Sequence, residues 1–202
     1  MNNIPNYVYS TLSLEGNAED IKLFREKFEF DGKLQATKVI PYPRELELLD
    51  KKHNESGDKL TEVEERELTL IALEGKYNLK RDGFNQGGYD WNCKNWGTKW
   101  GFCDCEIEDA DGYDFMYSFS TAWSPITPVI LEMSKQFPKI TFTYFCDEES
   151  GEFRDERTIL NGVCIDYDDR TFEFDVERLQ AEEDWKLEES EEKRVEELKD
   201  GK

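Results

Sequence analysis

The sequence predicts an α+β fold in which strands and helices follow the order β-α-β-β-α-β. Residues 7–14 alternate in polarity and are rich in β formers, which is typical of a strand. Residues 102–108 and 113–121 are two further β-rich runs around a Gly-containing turn sequence, which indicates a hairpin. Residues 140–145 supply the last strand. This is the order of the split βαβ, or ferredoxin-like, sandwich, an antiparallel sheet with helices on one face.

Helix signals lie between these strands. Asn17 can cap a first helix, and acidic residues in the next turn suit the helix dipole. A second helix is expected to begin with Ser124 as its cap and Pro125 at its first position, and Pro138 ends it. Residues 38–40 read as a short extended piece before Pro41. The expected core positions of the first helix are Ile21, Phe24 and Phe28.

Two further parts of the chain stand outside this order. Residues 44–80 show interrupted amphipathic periodicity and a capping-box sequence at Thr61, so we expect an inserted helical segment there. Residues 151–202 begin with short strand patterns and continue, from Val176 onwards, as a mostly charged helical pattern. We therefore expect a ferredoxin-like domain over residues 1–150, followed by short strands and an acidic C-terminal helix.

The chain carries 47 acidic and 26 basic residues, and its formal net charge is −21. Such a chain repels nucleic acid and anionic membrane at long range, so basic surfaces are its expected partners. It has no apolar run near the ~18 residues of a membrane span, and its first ten residues lack signal-peptide features. These observations predict a cytoplasmic protein without direct nucleic-acid or membrane contact, and they leave its oligomeric state open.

Patterns for catalysis or metal binding are scarce. The single histidine, His53, lies in a polar stretch, which argues against His-based triads and most His-containing zinc sites. Cys93, Cys103 and Cys105 could supply thiolates, but their spacing favours small buried side chains. Strand alternation places Cys103, Cys105 and Ile107 on one face. We predict free thiols, no catalytic residue, no metal and no cofactor, although acid–base work by some carboxylate pair stays open.

The acidic charge is unevenly distributed along the chain. Residues 145–202 hold 22 acidic and 9 basic residues, and residues 104–114 hold six acidic residues and no basic one. Strand alternation places three of these six on one face, about 6.8 Å apart, a spacing comparable with a nucleic-acid backbone. They form either an ordinary solvated face or an imitation of phosphates for a basic protein. The candidate partner-binding acids are Asp104, Glu106, Glu108, Asp109 and Asp111.

Several tryptophans lie in short segments that are rich in Gly or bounded by Pro. They either cap one end of the sheet as core or form a docking patch, because Trp dominates binding hot spots. The candidate partner-binding residues of this cluster are Trp96, Lys99, Trp100 and Trp123. An alternative function uses the Trp/Gly-rich residues 83–101 as a non-catalytic pocket for a small molecule or nucleotide.

Two Trp-containing motifs resemble a known family. Residues 95–100 read Asn-Trp-Gly-Thr-Lys-Trp, and residues 119–125 read Phe-Ser-Thr-Ala-Trp-Ser-Pro, with Phe137-Pro138 after them. The combination resembles the YubB-like proteins of conjugative plasmids and phages, over roughly residues 5–150. The sequence departs from that family at residues 6–8, where an Asn-Trp-Cys type of opening is expected. The resemblance implies a ferredoxin-like domain and a mobile-element origin, and it supplies no catalytic residues.

Charge and resemblance together predict an acidic interaction protein of a phage or plasmid. Its expected partner is a basic host protein that acts on nucleic acid, such as a defence enzyme. It would bind and inhibit this partner in the host cytoplasm as a nucleic-acid mimic.

Overall fold

The computed structural model describes residues 6–53, 59–74, 88–108 and 115–169. The strands are β1 (Tyr7–Glu15), β2 (Glu29–Phe30), β3 (Lys33–Leu34), β4 (Cys103–Glu108), β5 (Phe115–Ala122), β6 (Thr141–Glu148), β7 (Arg154–Leu160) and β8 (Val163–Asp169). The helices are α1 (Ala18–Phe28), α2 (Ala36–Val39), α3 (Arg44–His53), α4 (Glu62–Glu74), α5 (Tyr89–Asn95) and α6 (Thr127–Gln136). Two of the acids predicted from the sequence, Asp109 and Asp111, and the predicted C-terminal helix lie outside the described residues.

Six strands form one sheet in the order β4-β5-β1-β6-β7-β8, and each neighbouring pair is antiparallel. The strands β1, β4, β5 and β6, with α1 and α6 between them, make up the ferredoxin-like fold that the sequence predicts. The predicted hairpin is confirmed as β4 and β5. The last two strands, β7 and β8, continue the sheet beyond β6.

The helices α1 and α6 pack on the same face of the sheet and form the core with it. Helix α1 buries Ile21, Phe24 and Phe28, the three positions that its periodicity predicts. The ring of Phe24 lies edge-on to the ring of Phe142 on β6, with 5.7 Å between the centroids. Helix α6 buries an apolar stripe that includes Ile130 and Met133 against the same side of the sheet.

The two predicted helix starts at Asn17 and Thr61 are confirmed. The Asn17 side-chain oxygen accepts a hydrogen bond of 2.9 Å from the Asp20 amide at the start of α1. At α4, the Glu64 amide donates to the Thr61 hydroxyl, and the Thr61 amide donates to the Glu64 carboxylate. These contacts satisfy amide groups that a helix leaves without an internal partner.

Helices α3 and α4 occupy the segment where the sequence predicts an inserted helical region. Ion pairs join them, because Glu64 of α4 lies 3.3 Å from Arg44 and 2.9 Å from Lys51 of α3. Leu46 and Leu48 of α3 and Leu68 of α4 are buried. None of the helices among the described residues is long and apolar enough to cross a membrane.

Two local predictions are wrong. Residues 38 and 39 are not extended but belong to the short helix α2, and only Ile40, whose amide donates to the Ala36 carbonyl at 2.9 Å, has extended backbone angles. Helix α6 does not begin at Ser124 and Pro125. It begins at Thr127, with Ile126 as its cap residue, and the Ile126 amide donates to the buried Tyr144 hydroxyl at 3.2 Å.

Candidate functional site

The side of the sheet that points away from α1 and α6 is called the open face here. Residues paired across neighbouring strands point to the same side, so the register gives its composition directly. One cross-strand row contains Cys103, Ser120, Tyr9, Asp147 and Arg154. The next contains Glu106, Ser118, Thr11, Phe145, Glu156 and Asp168. The third contains Glu108, Met116, Ser13, Thr143, Thr158 and Asp166.

A bulge interrupts the pairing of β4 with β5 between Cys103 and Glu106. Asp104 is the extra residue, and its φ of 48° is one that few residues other than Gly adopt. The Ser120 hydroxyl donates to the Asp104 carboxylate at 3.4 Å, which places Asp104 on the open face. Asp104, Glu106 and Glu108 therefore share one face, as strand alternation predicts, and all three are exposed.

The same bulge corrects the predicted placement of Cys103. The extra residue shifts the alternation by one, so Cys103 faces the open side with Ser120. Cys105 lies on the helix side, where it is buried and its sulfur accepts from the Leu34 amide at 3.4 Å. Burial raises the pKa of both thiols. Among the described residues, no group of three or more His, Cys, Asp or Glu side chains is placed to hold a metal ion.

The centre of the open face carries two aromatic rings among hydroxyl side chains. Tyr9 of β1 is 53% exposed, and Phe145 of β6 is half-buried beside Thr11. A shallow depression of about 320 Å³ opens between these two rings, and Ser118 and Ser120 contribute to its wall. The centre therefore offers ring surface and hydroxyl groups, and the carboxylates of Asp104 and Asp147 also line the depression.

Acidic side chains border this centre on both sides. We call Asp104, Glu106 and Glu108 the β4 bank, and Glu156, Asp166 and Asp168 the far bank. Four strand spacings separate β4 from β7, which corresponds to roughly 19 Å. Inside the far bank, Asp147 and Arg154 form an ion pair of 2.9 Å and offset each other's charge. The open face thus has a neutral centre between two negatively charged margins.

Trp96, one of the predicted partner-binding residues, lies in the core. It is 6% exposed, and its indole N–H donates to the Ile40 carbonyl at 3.0 Å. Its ring packs against Tyr42 and Trp91, with centroid distances of 5.5 and 5.4 Å. Trp96 can therefore support a partner site only through the residues that it holds in place.

The structure brings the other three members of the predicted Trp cluster together. The buried Lys99 lies between two indole rings, with its Nζ 4.7 Å from the Trp100 centroid and 4.5 Å from the Trp123 centroid. The negative faces of these rings stabilise the ammonium group. Trp100 is 39% exposed, and Trp123 directly follows Ala122, the last residue of β5. The cluster lies beyond the Tyr7–Ala122 pair, at the end of the sheet.

Sequence reasoning missed Tyr9, Phe145 and the far bank. A signal for Tyr9 and Phe145 was present in the sequence, because each ring stands at a position where the alternation of its strand predicts a polar, solvent-facing side chain. Tyr9 alternates with the buried Val8 and Ser10, and Phe145 alternates with the buried Tyr144 and Cys146. Aromatic side chains at solvent-facing strand positions indicate a contact surface. The far bank had no comparable signal, since its position depends on which strands pair.

The fold and this surface define a class: a ferredoxin-like domain with an open, acidic sheet face. The model of the family described as "Ferredoxin-like domain in Api92-like protein" matches residues 99–189. Among solved structures, the chain is similar to the protein Api92 from Yersinia pseudotuberculosis, with 9% sequence identity and a TM-score of 0.49. That match covers 82% of this chain and 98% of Api92. No curated protein matches the chain.

Proposed function

We propose that this protein binds a basic, nucleic-acid-acting protein through the open face of its sheet and thereby inhibits it. The observation that carries the proposal is the pair of acidic banks on either side of Tyr9 and Phe145. A partner that presents Lys and Arg is attracted to both banks, while like-charged molecules are repelled. Tyr9 adds a rigid, exposed ring of the kind that dominates binding hot spots.

The β4 bank supports the nucleic-acid-mimic form of the proposal. Its carboxylates line one strand, and same-face residues in the regular part of a strand, here Glu106 and Glu108, are about 6.8 Å apart. The cationic groove of a nucleic-acid-binding protein is built to contact a row of phosphates. Carboxylates in such a row can occupy the same groove, because Lys and Arg bind carboxylate and phosphate with similar geometry.

The biological setting of the proposal comes from the sequence. The motifs at residues 95–100 and 119–125 resemble those of plasmid and phage proteins. We therefore propose a mobile-element protein with an anti-defence role, acting in the host cytoplasm. The alternative of a small-molecule pocket over residues 83–101 gains no specific support, since Trp96 is core and residues 83–87 lie outside the described residues.

Charge reversal on the β4 bank tests the proposal. The triple variant Asp104→Lys, Glu106→Lys, Glu108→Lys should lose roughly tenfold or more of its affinity for a captured basic partner, and its binding should depend less on salt. Proteins are captured from a host lysate on the wild-type chain and eluted with excess duplex DNA. Each retained protein is then identified, purified and titrated against the wild type and the triple variant.

A matched variant with the same change in net charge serves as the control. Glu19→Lys, Glu26→Lys, Glu132→Lys alters α1 and α6, which cover the opposite face of the sheet. This variant should keep near wild-type affinity, because its added charges lie across the sheet from the bound partner. The proposal is wrong if the retained protein binds both triple variants equally, or if duplex DNA does not displace it.

A further inference from the structure

We infer that the open face accepts a basic amphipathic α-helix of the partner, which lies along the strands between the two acidic banks. This inference rests on the proposed function and specifies the binding element. It follows from the width of the neutral centre, the spacing of its rings and the charge on both margins. Together these properties match a helix better than an extended segment.

The width of the neutral centre matches one helix. Glu156 on β7 lies about four strand spacings, or roughly 19 Å, from the β4 bank, and Asp166 and Asp168 lie one strand further out on β8. An α-helix with its side chains is about 10–12 Å across. Its long Lys and Arg side chains can then reach outwards to both banks while their aliphatic parts stay over the centre. A single extended strand is too narrow to reach both margins at once.

The two rings of the centre suit the apolar stripe of a helix. Tyr9 pairs with Asp147, and Phe145 lies two residues before Asp147 on β6, so Tyr9 and Phe145 are diagonal neighbours, typically about 7–8 Å apart at the backbone. Apolar side chains at i, i+3 and i+4 of a helix stand about 5–6 Å apart on one face. Such a pair can therefore contact Tyr9 and Phe145 together, with the depression of about 320 Å³ receiving one side chain.

The length of the β4 bank sets the length of the helix. Asp104 to Glu108 spans at most about 13 Å, the length of four regular strand residues, because the bulge at Asp104 shortens the strand. At 1.5 Å per residue, roughly nine helical residues cover this distance. The expected element is thus a helix of about two and a half turns in contact, with a narrow apolar stripe and Lys or Arg on both flanks.

Charge complementarity disfavours two other occupants of the open face. Residues 170–202 of this chain hold thirteen acidic and seven basic residues, so their net charge has the same sign as that of the banks. A second copy brings a net charge of −21 and is repelled as well. An extended partner strand on the β4 edge is disfavoured by the bulge at Asp104, which breaks the regular ladder of backbone groups.

A pair of synthetic peptides tests the helical mode directly on the wild-type chain. The first peptide has about 18 residues, Leu along one helical stripe and Lys on both flanks, long enough to form a helix. The first peptide ends in a Pro. The second peptide has the same composition and charge, but this Pro is moved to its centre, where it breaks the helix. Isothermal titration calorimetry should give about tenfold weaker binding for the second peptide.

Three protein variants locate the bound peptide. Tyr9→Ser removes an exposed ring and should lower the affinity for the helical peptide several-fold. The variant Glu156→Lys, Asp168→Lys on the far bank should weaken binding of the helical peptide. The loss should equal that caused by reversing two charges on the β4 bank, because a bound helix contacts both margins. Circular dichroism of each variant checks that the sheet is retained, and the α1–α6 triple variant should bind like wild type.

The outcomes separate this inference from the proposed function. Equal affinity for the two peptides, or insensitivity to the far bank, overturns the helical mode while the charge-dependent capture of a basic partner still stands. Weak binding of both peptides together with strong capture of a basic partner overturns the helical mode as well. If captured partners bind the β4-bank variant as tightly as the wild type, the proposed function is wrong, regardless of the peptide affinities.

Discussion

At the scale of single residues, burial divides the thiols into different classes. Cys146 is completely buried between the sheet and the helices, and burial raises the pKa of its thiol to about 12. Cys105 is also buried, and burial raises its pKa. Cys164 lies exposed on β8. Because the thiolate is the reactive form, burial lowers the reactivity of Cys105 and Cys146 in two ways: it limits access to the sulfur and it raises the pKa.

We expect iodoacetamide at pH 8 to modify Cys164 first in the native protein. Cys105 and Cys146 should react only after unfolding, because each is buried and held as the thiol. A time course followed by peptide mass spectrometry measures the order. Cys164→Ser should remove the fast phase and leave the slow ones unchanged. Rapid labelling of Cys146 in the folded protein would contradict the assignment.

At the scale of elements, the start of α4 depends on one carboxylate. Glu64 accepts hydrogen bonds from the amide and the hydroxyl of Thr61, at 2.8 and 2.9 Å, and lies 2.9 Å from the Lys51 ammonium. These contacts, led by the Thr61 amide, lower the pKa of Glu64 to about 2 from its ordinary value of 4.5. The charged carboxylate thus holds the cap of α4 and its contact with α3.

The lowered pKa predicts a pH-dependent contribution to stability. A carboxylate with a lowered folded-state pKa stabilises the fold above its unfolded value, so the contribution is full above about pH 4.5 and is lost towards about pH 2. Glu64→Gln should lower the urea midpoint at pH 6, and its difference from wild type should shrink as the pH falls through that window. Glu62→Gln, two residues earlier on the same helix, is the control. A constant difference across the window would refute the assignment.

At the scale of the whole molecule, one aromatic side chain connects both layers. Phe24 of α1 contacts Phe28 on its own helix and Phe137 after α6, with centroid distances of 5.1 and 5.4 Å. It also contacts Phe142 on β6 and Tyr117 on β5, at 5.7 and 6.4 Å. Edge-to-face ring pairs add to the burial of apolar area. The helix layer and the sheet therefore share one aromatic core.

Phe24→Ala should destabilise the fold by about 3–5 kcal/mol, because it opens a cavity where helices and strands meet. Phe24→Leu keeps much of the volume and should cost clearly less. Urea unfolding monitored by circular dichroism gives both values. Leu23→Ala, at an exposed position next to Phe24 on α1, should have little effect. Similar losses for Phe24→Ala and Leu23→Ala would show that Phe24 does not join the layers.

Much of the fold was predictable because its signals are local. The caps at Asn17 and Thr61 depend on side chains a few residues apart, and the α1 core positions follow helical periodicity. The start of α6 was not predictable in this way. The amide of its cap residue, Ile126, donates to the Tyr144 hydroxyl, which lies on a strand 18 residues away.

The candidate site was predictable only in part, for the same reason. Strand alternation was sufficient for the shared face of Asp104, Glu106 and Glu108, but the bulge that turns Cys103 to that face depends on the pairing of β4 with β5. Trp96, Lys99, Trp100 and Trp123 could be recognised as a group, yet only packing separates the buried Trp96 from the exposed Trp100.

The sequence by itself determined the α+β class, the strand and helix order, the strong acidic charge and the acidic row on β4. These properties depend on composition and on spacings within one element. The tertiary structure was needed to place Tyr9 and Phe145 as diagonal neighbours and to bring a second acidic bank to the same face as the first. Such neighbours come from different strands, and their register is set by long-range pairing and burial of the core face, which no short stretch of sequence encodes.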